Sequence, residues 1–114
     1  MIQEGVEPIA VSDATGTVPL FSPIGGIAHM MTASDQGGSA PSGETLGFED
    51  ALRAYSLFPA RGGWEERDKD SIAAGKLGDF VVLSADPRTR SGPELWDIKV
   101  DATIVGGLVV FEAS

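Results

Sequence analysis

The sequence predicts an α+β arrangement, with helices in the first part of the chain and strands at its end. Three observations lead there. Phe48, Ala51, Leu52, Tyr55 and Phe58 recur at spacings of three and four, which gives a helix one apolar face. Phe80, Val81, Val82 and Leu83 form an uninterrupted β-favouring run, bounded by Gly78 and Asp79 before it and by Asp86 and Pro87 after it. Gly106 and Gly107 then separate two further β-favouring runs, and such a pair accepts the positive φ angles of a tight hairpin.

Taken in order, residues 8–11 are a brief apolar run ending at Ser12 and Asp13, and they read as a short buried strand. A Gly-, Pro- and Thr-rich loop follows. Pro23 then suits the first turn of a helix running to about Thr32, although Gly25 and Gly26 weaken helix propensity there. Residues 33–43, "ASDQGGSAPSG", have too little apolar surface to be fixed by burial and are expected to form a mobile loop. Thr45 or Gly47 can cap the next helix, whose first turn carries Glu49 and Asp50 where the helix dipole favours negative charge. Pro59 is expected to end it. A charged turn or short helix around Glu65 to Lys69 follows. The run at residues 80–83 suggests a strand buried on both faces, and the hairpin of residues 102–105 and 108–111 completes about four short strands.

Composition narrows the function. A formal charge of −9, from 17 acidic against 8 basic residues, argues against a surface that tracks nucleic-acid phosphates. No cysteine is available for disulfides, thiolate zinc sites or a thiol nucleophile. No apolar run reaches the roughly 20 residues needed to cross a bilayer. The first residues also lack the basic and apolar regions of a secretory signal. A cytoplasmic location without membrane attachment is expected.

Two ordered motifs carry a resemblance. Ser71, Ile72, Gly75, Lys76, Gly78, Asp79 and the run Phe80 to Leu83 are similar to a "GSI-x-x-GK-x-A-D" stretch followed by a hydrophobic strand. Val100, Thr103, Ile104, Val105, Gly106, Gly107, Val109 and Val110 match a second, "V-x-x-T-h-V-G-G-x-h-V", where h is hydrophobic. Together they resemble the C-terminal end of metal-dependent amidohydrolases, in particular amidohydrolase family 3 with its N-substituted formamide deformylases. Gly78 stands where that family usually has alanine.

The resemblance implies a (β/α)8 barrel carrying a metal site and a composite β-sandwich assembled from both ends of a longer chain. Residues 1–70 would be the end of the barrel, and residues 71–114 the C-terminal strands of the sandwich. It also aligns Asp13 with the aspartate that closes the last barrel strand, where barrel enzymes place chemistry. Asp13 would then be both the catalytic carboxylate and a metal contact, serving a divalent metal, zinc by expectation, and moving the proton during attack on an amide carbon. The substrate would be a small-molecule amide with a non-peptide or modified C–N bond. The family's His-x-His pair, mid-barrel bridging residue and two further histidines have no counterparts here, since the chain has one histidine. Zinc takes about three protein ligands even in open sites, so this stretch is expected to be inactive alone and to hold no metal tightly.

Simpler roles compete for several residues. Asp13 could cap backbone N–H groups at a strand end. Ser12 has no identifiable base beside it. His29 matches no metal-ligand position and reads as a packed or solvent-edge helical residue. Trp64, Trp96, Met30, Met31 and Phe21 read as packing material, and the alternating charges of residues 65–70 as a solvated face. The alternative to a hydrolase fragment is a structural or interaction module that completes its sheet as a homo-oligomer or against a separate barrel chain.

Overall fold

The computed structural model describes residues 2–11, 22–33 and 45–114. A small helical cluster precedes a three-stranded antiparallel sheet. Helix α1 spans Pro23–Thr32, α2 Phe48–Tyr55 and α3 Leu57–Gly62; the strands are β1 Phe80–Leu83, β2 Val100–Val105 and β3 Leu108–Glu112. Single 3-10 turns lie at Ile2–Glu4, Pro87–Thr89 and Pro93–Asp97.

Helix α1 has the expected bounds. Ser22 is its N-cap, Pro23 occupies the first turn, and Ala33 closes it with φ 50° as its N–H donates to the His29 carbonyl. Its glycine pair serves packing. A Cβ on Gly25 would sit 2.7 Å from the Trp96 ring, and one on Gly26 would sit 2.0 Å from the Tyr55 hydroxyl. The bare backbone therefore lets two aromatic side chains close onto one helix, which offsets the propensity lost there. Burial raises the pKa of the Tyr55 hydroxyl above its ordinary value.

Pro59 acts differently from expectation. The helix breaks one turn earlier, at Ser56 with φ −128° and ψ −78°, and Pro59 lies inside the first turn of α3. A proline lacks the N–H for the carbonyl four residues back and its ring collides with that carbonyl, so the ladder fails at Tyr55. In a new first turn the missing N–H costs nothing. Ser56 Oγ donates to the Leu52 carbonyl at 2.8 Å across the break. The buried face also shifts: Ala51, Ala54 and Phe58 are buried, whereas Leu52 is exposed.

The core is Ile27 and Ala28 of α1, Ala51 of α2, and Leu95 and Ile98 around the turn at Pro93–Asp97. Ile27 and Leu95 are its largest fully buried side chains. Met30, Met31 and Trp96 pack at its margin as expected, and His29 is exposed in the last turn of α1. Trp64 does not pack: it is 89% exposed and takes φ 59° where α3 terminates, a position glycine would occupy more cheaply.

Residues 8–11 take no regular secondary structure and are not a buried strand. Ile9 and Val11 are mostly exposed. The segment is held by the Ala10 N–H donating to the Ala54 carbonyl at 2.9 Å, while Ile9 lies over Gly62. An apolar run becomes a buried strand only beside other strands, and among the described residues none pairs with it.

The sheet order is β1-β2-β3. Gly106 and Gly107 take φ 58° and 79°, so the β2–β3 hairpin forms as the glycine pair predicts. Asp101 of β2 and Val110 of β3 are skipped in the pairing register and form bulges. Three strands are described rather than about four. The expectation that β1 is buried on both faces fails, with Phe80, Val81 and Val82 from 41% to 50% exposed. An apolar run shows what a strand would bury, but burial needs a second layer. Here the described core reaches only Leu83 at the end of β1.

Candidate functional site

The densest polar cluster in the described chain centres on Lys76. Gly75, with φ 90°, reverses the backbone so that Lys76 turns back over the preceding loop. Its Nζ donates to the carbonyls of Glu66 at 2.8 Å and Lys69 at 2.9 Å, to Ser71 Oγ at 2.9 Å, and to the carboxylate of Asp70. The ion pair is largely shielded, its side chains being 19% and 8% exposed. Ser71 Oγ also donates to Asp70 Oδ1 at 2.7 Å. Asp70 itself takes φ 90°, a strained conformation for a residue with a Cβ. Hydrogen bonds from Lys76 and then Ser71 hold its carboxyl below the usual carboxylate range.

A second set of contacts continues the clasp into the sheet. The Gly107 N–H donates to the Gly78 carbonyl at 2.9 Å, and the Gly106 N–H donates to Asp79 Oδ1 at 2.7 Å. A Cβ on Gly78 would lie 3.0 Å from the Gly107 nitrogen. Glycine at this position therefore lets the hairpin tip sit closer than an alanine would.

Beside the clasp is a groove of about 360 Å³ whose lining includes Glu65, Lys69, Ser71, Ile72, Leu77 and Asp79. Among the described residues it holds no nucleophile–base pair. Ser71 faces an ammonium already surrounded by acceptors, which cannot take its proton. Lys69 is committed to Glu65 at 3.0 Å, on the solvated charged face the sequence suggests. Asp13 and Ser12, the sequence-derived candidates at the end of the first apolar run, lie outside the described residues. Among the described residues, no group of three or more His, Asp or Glu side chains could hold a metal ion. None of their helices is long and apolar enough to cross a membrane.

The model of the amidohydrolase family matches residues 1–111, almost the whole chain. The chain belongs to the amidohydrolase family. It is 27% identical, across its full length, to the putative amidohydrolase YtcJ of Bacillus subtilis strain 168, covering 22% of that protein. Over 60% of its length it is 33% identical to the N-substituted formamide deformylase of Arthrobacter pascens, covering 13% of it. Over 56% it is 36% identical to Protein LONG AFTER FAR-RED 3 of Arabidopsis thaliana, covering 11% of it. The chain thus spans less than a quarter of the length of these relatives. No solved structure matches it.

In this amidohydrolase-family chain, the motif most visible in the sequence is architectural. Gly75 and Lys76 close the loop that leads from the helices to the sheet, and Gly78 with Asp79 pin the hairpin tip. Spacing alone does not show a lysine taking carbonyls ten and seven residues upstream. The clue available was the pairing of a glycine with a lysine before a strand.

The clasp gives a pH expectation. Asp70 has a lower pKa folded than unfolded, so its contribution to stability is complete above the unfolded value, about 3.9. It is lost as pH falls through the lower folded value. The thermal midpoint should drop in acid, and Asp70→Asn should flatten that dependence while lowering the midpoint at neutral pH. Lys76→Met, which also strands two carbonyls, should lower the neutral midpoint further. Differential scanning calorimetry from neutral to acid pH checks both, and an unchanged acid limb in Asp70→Asn would remove Asp70 from the account.

Proposed function

We propose that this chain is the closing stretch of a metal-dependent amidohydrolase that cleaves a non-peptide or modified amide C–N bond in a small molecule. Residues 1–70 supply the last barrel strand and the helices after it, and residues 71–114 supply strands of a composite β-sandwich. The observation that carries this reading is the family match across residues 1–111, reinforced by the deformylase among the relatives. The apolar run at residues 8–11, which pairs with no strand among the described residues, suits a barrel strand whose neighbours lie elsewhere in a longer protein. The exposed apolar sheet suits one layer of a sandwich.

In this reading Asp13 is the catalytic carboxylate at the C-terminal end of that strand. Hydrolysis adds water across the C–N bond: Asp13 takes a proton from the attacking water and returns it to the departing nitrogen. The residues described do not fit a divalent metal, zinc included, because they offer no cluster of three ligands. The metal centre therefore draws its remaining ligands from outside the described residues. By itself the chain is expected to retain almost no zinc after exhaustive dialysis, measured by elemental mass spectrometry, and to leave an N-substituted formamide intact. One equivalent of retained metal with formamide turnover would show that the chain assembles a centre unaided and would sink the division of labour proposed here.

A further inference from the structure

Four oxygens surround the Lys76 Nζ: the carbonyls of Glu66 and Lys69, Ser71 Oγ and the Asp70 carboxylate. An ammonium on a side chain has three N–H groups, so one of the four contacts is held by charge rather than by a proton of its own. Among the described residues no backbone N–H reaches the carbonyl of Glu66 or of Lys69, and both depend on this cation for a partner. Residues 65–70 carry four acidic against two basic side chains. Glu66 Oε2 is also buried with no hydrogen-bond partner among the described residues. The loop therefore offers more acceptors than its own donors fill.

The walls of this cage are tied by backbone bonds that leave Nζ out. The Glu65 N–H donates to the Ala60 carbonyl at 2.8 Å, which fastens the loop to α3, and the Lys69 N–H donates to the Glu65 carbonyl at 3.0 Å. The Leu77 N–H donates to the Asp68 carbonyl at 2.8 Å and holds the far side. Removing the lysine side chain leaves all three in place. The carbonyl and hydroxyl oxygens lie 2.8–2.9 Å from Nζ. That spacing is wider than the about 2.0–2.1 Å of magnesium or 2.3–2.6 Å of calcium, and the single Asp70 carboxylate balances a single positive charge.

We propose that residues 66–71 form a binding cage for a monovalent, ammonium-type cation, which Lys76 fills from within the chain, and that a free methylammonium ion occupies it once the lysine side chain is removed. Methylammonium reproduces the last carbon and the nitrogen of lysine. The side chain of Lys76 then acts as a tethered ligand, and what it contributes is charge and N–H groups rather than its apolar stem. The inference uses this loop alone and stands apart from the hydrolase reading.

The test is differential scanning calorimetry of Lys76→Ala at neutral pH and constant ionic strength, with methylammonium chloride replacing tetramethylammonium chloride, a cation of equal charge without N–H groups. The midpoint of the variant should rise saturably, by about 5 °C at ten times the dissociation constant, while that of the unsubstituted chain stays flat. Adding Asp70→Asn to Lys76→Ala should abolish the rise. No rise, an equal rise with tetramethylammonium, or a rise that survives Asp70→Asn would each overturn the proposal. Should Lys76→Ala fail to fold, the unsubstituted chain gives a second readout. In a proton–nitrogen correlation spectrum the Lys76 ammonium should be visible through slow exchange with water, while those of Lys69 and Lys99 are lost. A missing Lys76 signal would overturn the cage.

Discussion

Leu95→Ala is expected to lower the unfolding free energy by about 2–5 kcal/mol, the range for emptying a well-packed aliphatic site. Leu95 is fully buried and sits among Ile27, Ala28, Ala51 and Ile98. Those neighbours include two alanines, which cannot extend into the space left behind, so the cost should fall toward the upper part of the range. Domains of this size are stable by only about 5–15 kcal/mol, and the variant could lose most of its folded population. Leu95 also lies in the turn at Pro93–Asp97 that packs on α1 and leads into β2. Its loss should loosen the helical cluster and the sheet together. Urea denaturation followed by circular dichroism measures the effect. Val110→Ala, at a side chain 61% exposed, provides the contrast and should cost under about 0.5 kcal/mol, as exposed sites usually do. Equal losses at the two positions would mean that the sheet, not the helical cluster, holds the fold together.

The second large effect concerns Asp13 in its proposed role. When the corresponding stretch of the Arthrobacter deformylase is replaced by this chain, the hybrid should hydrolyse an N-substituted formamide. Asp13→Asn in that hybrid should reduce kcat by about 10²–10⁴-fold, the usual contribution of a positioned acid–base group, with KM changed much less. The amide keeps the size of the side chain but cannot accept the proton. A loss confined to KM would make Asp13 a substrate contact, and no loss would return it to the role of a strand-end cap.

Much of the fold could be read from local chemistry. Pro23 announces the first turn of α1, and Gly106 with Gly107 announces the hairpin, because each feature depends on neighbours in sequence. The features missed depend on distance. Pro59 was expected to stop a helix at its own position, but its steric effect falls on Tyr55, four residues earlier. Gly25 and Gly26 looked like weaknesses because their value lies in Trp96 and Tyr55, residues remote in sequence. The exposure of β1 could not be read from four apolar residues, since they report affinity for a covering layer rather than its presence. For the candidate site, Asp13 was visible only through resemblance. Lys76 was noticed as part of a motif, but its partners were hidden in a loop without periodicity.

The contrast between the two tryptophans has an optical consequence. Trp64 is already in water in the folded chain, so its fluorescence has little reason to change on unfolding, whereas Trp96 leaves its contact with Gly25 and moves into solvent. With only these two indoles in the sequence, Trp64 acts as a constant background and Trp96 as the signal. The emission spectrum thereby becomes a local gauge of whether α1 and the turn at Pro93–Asp97 are still together, while opening of the bare sheet would pass almost unseen.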